Sequence, residues 1–225
     1  MDASGGLMGF VWFAFALTWL VCMPLRYRLE HRGQKAASLF CKAVPTAMAA
    51  ALAGYAHFAL SPMEPYSLGI FVGLCVCVLA DVLLNVFLPL GGALFFAGHM
   101  CYVAAMGLYR AFTWWSLTAC LLALAGLWLF GLRYKSLVQD RRLFWGMFLY
   151  AVALATLLGF SLPLPFLAPS KRSALAAVGA ALFVASDLML CLNHVYRRGL
   201  PWRFASLGVY YAAQLLIGLS AFPIA

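Results

Sequence analysis

Apolar residues fill runs of about twenty, separated by short polar or Pro/Gly-bearing breaks, and the alternation repeats along the whole chain. A bilayer core needs about 20 apolar residues per helix. The runs fall near 5–25, 37–60, 67–89, 92–109, 114–132, 143–163, 174–194 and 204–222. Each break has a physical cause. RYRLEHRGQK (26–35) carries too many charges for lipid, SPMEPY (61–66) has two prolines, and LPLGG (88–92) reads as a tight turn. RYKSLVQDRR (133–142), PLPFLAPSKR (163–172) and HVYRRGLPWR (194–203) are polar or Pro-bearing connectors. No connector is long enough for a separate domain. The pattern predicts an all-α, polytopic membrane bundle of about eight helices, with residues 1–225 as a single integral membrane domain.

Composition agrees. The chain is 66% hydrophobic and 9% charged, against roughly half and a quarter in soluble domains. The start, MDASGGLMGF, has no basic n-region, so the first run is expected to be a retained helix. The net charge of +9 alone would allow a nucleic-acid partner. Its placement in short loops beside apolar helices argues for membrane orientation instead. With eight helices, connectors one, three, five and seven share a side. That side carries Arg26, Arg28, Arg32, Lys35, Arg133, Lys135, Arg141, Arg142, Arg197, Arg198 and Arg203; the other has Arg110, Lys171 and Arg172. The first side is expected in the cytoplasm, of a bacterial inner membrane or facing it from an endoplasmic reticulum. The seven cysteines lie in or beside apolar runs without C-x-x-C spacing and read as small packing residues.

Four of the six acids (Asp2, Glu30, Glu64, Asp140) lie at the terminus or in connectors; Asp81 and Asp187 lie inside helices. An ionised Asp at a helix centre costs about 2.5–3.5 kcal/mol on insertion scales. Such residues face the bundle interior and mark sites. Following the chain direction, Asp81 and Asp187 fall in the inner halves of helices three and seven. His99, Lys42, Tyr210, Tyr211 and Gln214 come to the same layer from helices four, two and eight. The layer predicts a polar cavity in the cytoplasmic half. Asp81 and Asn85 share a face at i,i+4, His99 and Tyr102 at i,i+3, and Tyr210 and Gln214 at i,i+4. Asn193 lies near the inner end of helix seven, and His57 lies toward the outer end of helix two, away from the layer. Lys42 reads either as a snorkelling residue or as a member of the site. The tyrosines and Gln214 read equally as glue between helices.

The chain resembles the YhhN family of membrane proteins. The match rests on KAVP at 42–45, ADVLL at 80–84, FFAGHMCYVAAM at 95–106, ASDLMLCLN at 185–193 and VYYAAQLLIGLSA at 209–221. One departure is Ala80, where the family usually has Gly before the Asp. The family's characterised members are lysoplasmalogenases. The resemblance therefore implies hydrolysis of the vinyl ether bond of a lysophospholipid, giving a fatty aldehyde and glycerophosphoethanolamine or glycerophosphocholine. It implies roles for Asp81, His99, Tyr102, Asp187, Tyr211 and Gln214, and with them Lys42 and Asn193.

The residues suit that chemistry. A vinyl ether is opened by protonation of its β-carbon, which gives an oxocarbenium ion that water attacks. Two carboxyl groups divide such labour in glycosidases, one giving a proton and the other staying ionised. Asp81 and Asp187 are the candidates, with His99 and Tyr211 to orient them or relay protons and Lys42 to hold a phosphate. No metal and no cofactor is required. Three other readings compete: a metal-dependent hydrolase, an intramembrane aspartyl protease, and a lipid-binding protein or proton-coupled transporter without chemistry. The metal site would need three or four ligands, whereas the layer offers one His and two Asp. Broken helices would favour the transporter, and Pro45 is the clearest interior break.

Overall fold

The computed structural model describes residues 3–134, 141–196 and 199–224. Lys135, Asp140, Arg197, Arg198 and Asp2, which the sequence places in connectors or at the terminus, lie outside the described residues. All regular structure among the described residues is helical. Helix α1 runs through Ala3–Ala16, a wider π-helical stretch Leu17–Cys22, and Met23–His31. Helix α2 is Lys35–Tyr55 with a π-helical end, Ala56–Leu60. Then follow α3 (Pro65–Val86), α4 (Leu88–Tyr109), α5 (Trp114–Tyr134), α6 (Arg141–Ser161), α7 (Lys171–Tyr196) and α8 (Leu200–Ser220). A short helix, Leu164–Leu167, fills the connector before α7.

Seven of these are long and apolar enough to cross a membrane. The eighth, α8, is long enough but dilutes its apolar character with Arg203, Tyr210, Tyr211 and Gln214. The chain is a multi-pass helical membrane protein, as the hydropathy pattern predicts. Boundaries differ from that pattern by a few residues. The helix of α1 continues through Arg26, Arg28 and Glu30, because charge forces a segment out of lipid without breaking its backbone hydrogen bonds. Gly33, at φ 72°, makes the turn into α2 in a conformation that suits glycine. Prolines open α3, α4 and α8, where the missing N–H costs nothing. Pro45 does not break α2; the helix runs through it.

Consecutive helices pack as neighbours except α4 and α5, and α8 returns to α2 while α4 meets α6. Six helices, α2, α3, α4, α6, α7 and α8, therefore close a ring. Ala49, Ile70, Leu74, Met106, Phe183 and Ile217 are buried within it. Helix α5 lies outside the ring against α6, and α1 lies outside it against α2.

Helices α3 and α4 approach each other closely. A Cβ on Gly73 would meet the Tyr102 ring at 2.5 Å, and one on Gly98 would meet the Cys77 Sγ at 2.7 Å. Small residues let two apolar helices approach to backbone contact. Gly69, Gly73, Cys77 and Asp81 follow one another at i+4. With 3.6 residues per turn such a row rotates by about 40° at each step. The glycines therefore face α4, while Asp81 has turned toward α2 and α8.

Candidate functional site

Asp81 is fully buried and is bonded from two helices. The Lys42 ammonium on α2 lies 3.2 Å from Oδ1 and donates to the Asp81 backbone carbonyl at 3.2 Å. Thr46, one turn further along α2, donates to Oδ2 at 2.7 Å. Tyr210 of α8 donates to the same oxygen at 2.8 Å. Lys42 is 7% exposed, so it ends in a buried ion pair rather than snorkelling to the interface. Its backbone carbonyl accepts the Tyr211 hydroxyl at 2.9 Å, which ties α8 to the stretch of α2 that holds the lysine.

The network extends into α4. Gln214 donates its amide to the Tyr210 hydroxyl at 3.0 Å and accepts the Tyr102 hydroxyl at 3.0 Å. Tyr102 also lies 3.5 Å from the Cys77 thiol. The helical spacing of Tyr210 and Gln214 thus becomes a relay that runs from α3 through α8 to α4.

Asp187 has a different setting. It is half-buried, and its Oδ2 accepts the Tyr150 hydroxyl of α6 at 2.8 Å. Among the described residues no cation lies within ion-pair distance of it. The two carboxylates share no hydrogen-bond partner among the described residues.

His99 stands between the two groups. Its ring centroid lies 6.2 Å from that of Tyr102 and 5.6 Å from that of Tyr150, with the ring edge-on to Phe183 at 4.5 Å. The side chain is fully buried, and neither ring nitrogen has a hydrogen-bond partner.

The structure thus brings Lys42, Asp81, Tyr102, Tyr210, Tyr211 and Gln214 into one network, with His99 between it and Asp187. Asn85 and Asn193 stand apart. The Asn85 amide caps the Asp81 carbonyl of its own helix at 3.1 Å and is exposed. Asn193 has a buried Oδ1 without a hydrogen-bond partner among the described residues. His57 bonds Ser67 at 3.0 Å at the far end of α2, away from the site. Because α2, α4 and α8 begin earlier than the hydropathy pattern predicts, the layer lies deeper. Lys42 is about two turns inside α2 rather than one.

Sequence reasoning missed Thr46 and Tyr150. Thr46 carries a signal, since it stands at i+4 from Lys42. Tyr150 carries none, being a lone hydroxyl in an apolar run. Arg172, read from sequence as a loop charge, is buried and pairs with Glu64. It also donates to the carbonyls of Phe222 (3.0 Å) and Ala221 (3.3 Å) and lies 5.0 Å from the centre of the Tyr66 ring. All seven cysteines are free thiols. Among the described residues no three His, Cys, Asp or Glu side chains gather as a metal site.

Fold and site together define a polytopic membrane protein that holds a network of acids, hydroxyls and one histidine inside its helical ring. It belongs to the YhhN family, whose profile matches residues 37–221, from the first turn of α2 to the end of α8. No curated protein and no solved structure matches the chain.

Proposed function

We propose that the protein is a lysoplasmalogenase, which hydrolyses the vinyl ether bond of an alkenyl glycerophosphoethanolamine or glycerophosphocholine. The family supports the substrate class, and the unlike settings of the two acids carry the reading. A general acid has to hold its proton at rest; a group that steadies a cation has to be ionised. Asp81, with an ammonium against it and two hydroxyls donating to it, suits the ionised role. Asp187, with a single tyrosine donor and no adjacent cation, suits the proton donor.

In this reading Asp187 protonates the β-carbon of the alkenyl chain. The resulting oxocarbenium ion is stabilised by the negative charge on the Asp81 side, and water adds to its α-carbon, giving up one proton that returns to Asp187. The hemiacetal then collapses to a fatty aldehyde, and its proton leaves with the glycerol oxygen. One water is consumed and no electrons are exchanged. His99 is placed to pass protons between the two sides. The apolar walls of the ring receive the alkenyl chain, and the substrate arrives from the surrounding membrane, with the site opening toward the cytoplasm.

The test is aldehyde release from lysoplasmenylethanolamine by the purified protein in mild detergent. Wild type is expected to release aldehyde, and Asp187→Asn and Asp81→Asn to release none. A folded wild type without aldehyde release, or full turnover in either variant, overturns the reading.

A further inference from the structure

Gln214 joins Tyr210 to Tyr102 through two bonds of 3.0 Å, and Tyr210 reaches Asp81 at 2.8 Å. Each hydroxyl has one hydrogen to give, and an amide presents hydrogens on one side and an oxygen on the other. These counts fix the direction of every bond in the chain. Asp81, ionised as the proposed function requires, can only accept, so the Tyr210 hydrogen points to its Oδ2. Thr46 gives its own hydrogen to the same oxygen at 2.7 Å and lies further from Tyr210, at 3.3 Å. Tyr210 is left to accept from Gln214, which turns its NH2 toward Tyr210 and its Oε1 toward Tyr102. Tyr102 in turn donates. Asp81, Tyr102 and Gln214 have no exposed surface and Tyr210 almost none, so water does not compete for these bonds.

We propose that Gln214 is a positioning residue that sets the direction of this chain, holding the Tyr210 hydroxyl on Asp81 and closing the path for proton exchange between Asp81 and Tyr102. Bonds that all point one way polarise one another, so the Gln214 donor strengthens the hydroxyl that Tyr210 gives to the carboxylate. A hydroxyl in place of the amide could rotate, reverse the chain and hand a proton along it. An amide passes a proton only by becoming its imidic-acid tautomer. It would give one N–H hydrogen to Tyr210 and take the Tyr102 hydrogen on Oε1, while its C=O and C–N bonds exchange character. The resonance of the amide opposes that step. Asp81 is thereby kept an anion beside the developing oxocarbenium ion, and the proton for the alkene comes from the Asp187 side. Tyr210 and Gln214 stand one turn apart, so α8 alone carries both the donor to Asp81 and the group that aims it.

Because the direction rests on the ionised Asp81 of the proposed function, the test has one arm with turnover and one without. Gln214→Met cuts both bonds at similar length and is expected to lower aldehyde release about tenfold at every pH, the worth of one hydrogen bond. In Gln214→Glu the introduced carboxyl, when protonated, still offers one donor and one acceptor, and release should exceed that of Gln214→Met. When ionised it only accepts and draws the Tyr210 hydrogen away from Asp81, so release should fall to the Gln214→Met level or below as pH rises. Wild type and Gln214→Met lack this step. The titratable groups on the neighbouring turns and helices (Lys42, Cys77, His99, Asp187 and Tyr211, besides those of the chain) are the same in all three proteins, so the extra step belongs to the introduced carboxyl. Affinity for 1-O-alkyl lysophosphatidylethanolamine, a saturated ether that this chemistry leaves intact, should be unchanged in both variants by tryptophan fluorescence in detergent. The second arm is the phenol C–O stretch of ring-labelled tyrosine, which shifts when a hydroxyl changes its donor or acceptor partners. The Tyr210 band is identified by its absence from Tyr210→Phe. It should move with pH in Gln214→Glu and stand still in wild type and Gln214→Met over the same range. Full release in Gln214→Met overturns the proposal, as does a Gln214→Glu profile parallel to wild type with a still Tyr210 band. A loss of alkyl-lipid affinity equal to the loss of release overturns it too, and marks Gln214 as a substrate contact. If wild type releases no aldehyde but the Tyr210 band moves in Gln214→Glu, hydrolysis falls and the role of Gln214 stands.

Discussion

Lys42 holds Asp81 twice, with its ammonium 3.2 Å from the carboxylate and 3.2 Å from the backbone carbonyl of the same residue. The contact fixes the helix as well as the charge, since one bond ends on backbone. Removing one partner of a buried pair leaves the other charge without compensation and costs about 3–5 kcal/mol. Lys42→Met is therefore expected to lower the melting temperature in detergent sharply. The double variant Lys42→Met/Asp81→Asn, with no charge left to bury, should recover most of the loss. A double variant no more stable than Lys42→Met would show that the two residues are not energetically coupled.

Tyr150 is the hydrogen-bond donor that orients Asp187. Tyr150→Phe keeps the ring and removes the hydroxyl. Turnover of the alkenyl lipid is expected to fall about tenfold, in line with the loss of about 1–1.5 kcal/mol from one hydrogen bond. The affinity for the unreactive alkyl lipid should not change. A loss of affinity with unaltered turnover would place Tyr150 in binding rather than in positioning the acid.

His99 bonds no other side chain among the described residues. His99→Phe is a swap of similar shape into an aromatic pocket and should change stability by less than about 1.5 kcal/mol. Aldehyde release should fall by about 10²-fold or more, the usual worth of a proton-transfer group. A melting temperature that drops with turnover would identify His99 as a packing residue instead.

At the other end of the ring, Arg172 ties α7 to Glu64 and to the carbonyls that follow α8. Arg172→Ala should destabilise the protein by about 3–5 kcal/mol, because Glu64 and two carbonyls lose their partner together. Arg172→Lys should restore little, since an ammonium cannot reach all three acceptors from one planar fork. Melting curves of the two variants decide the point.

The helices and the acids were legible because lipid imposes a strong filter on sequence. Twenty apolar residues in succession and a carboxylate among them need no tertiary information to be noticed. Partner choice was not legible. Asp81 and Asp187 stand at matching depth, which suggested a facing pair, yet Asp81 turned to Lys42 and Tyr210 while Asp187 turned to Tyr150. Depth follows from rise along a helix, whereas azimuth depends on how each helix is rotated in the ring. The small-residue row from Gly69 to Asp81 shows the effect, since its members face different neighbours. Arg172 was hidden for a related reason. Its charge placed it in a loop, while the fold extended α7 to include it and buried it against Tyr66.

The closed ring also orders the history of the molecule. Lys42 and Asp81 sit on consecutive helices, so α2 and α3 can enter the bilayer as a hairpin whose opposite charges already cancel. Tyr210, Tyr211 and Gln214 all ride on α8, which leaves the ribosome after the seven helices before it. Until it arrives, the Asp81 carboxylate lacks its tyrosine, Tyr102 lacks its glutamine, and Arg172 lacks the carbonyls beyond Ser220. The polar layer and the Arg172 clasp are thus completed in one late event. A nascent chain stalled before residue 200 would hold seven inserted helices with neither the layer nor the clasp complete.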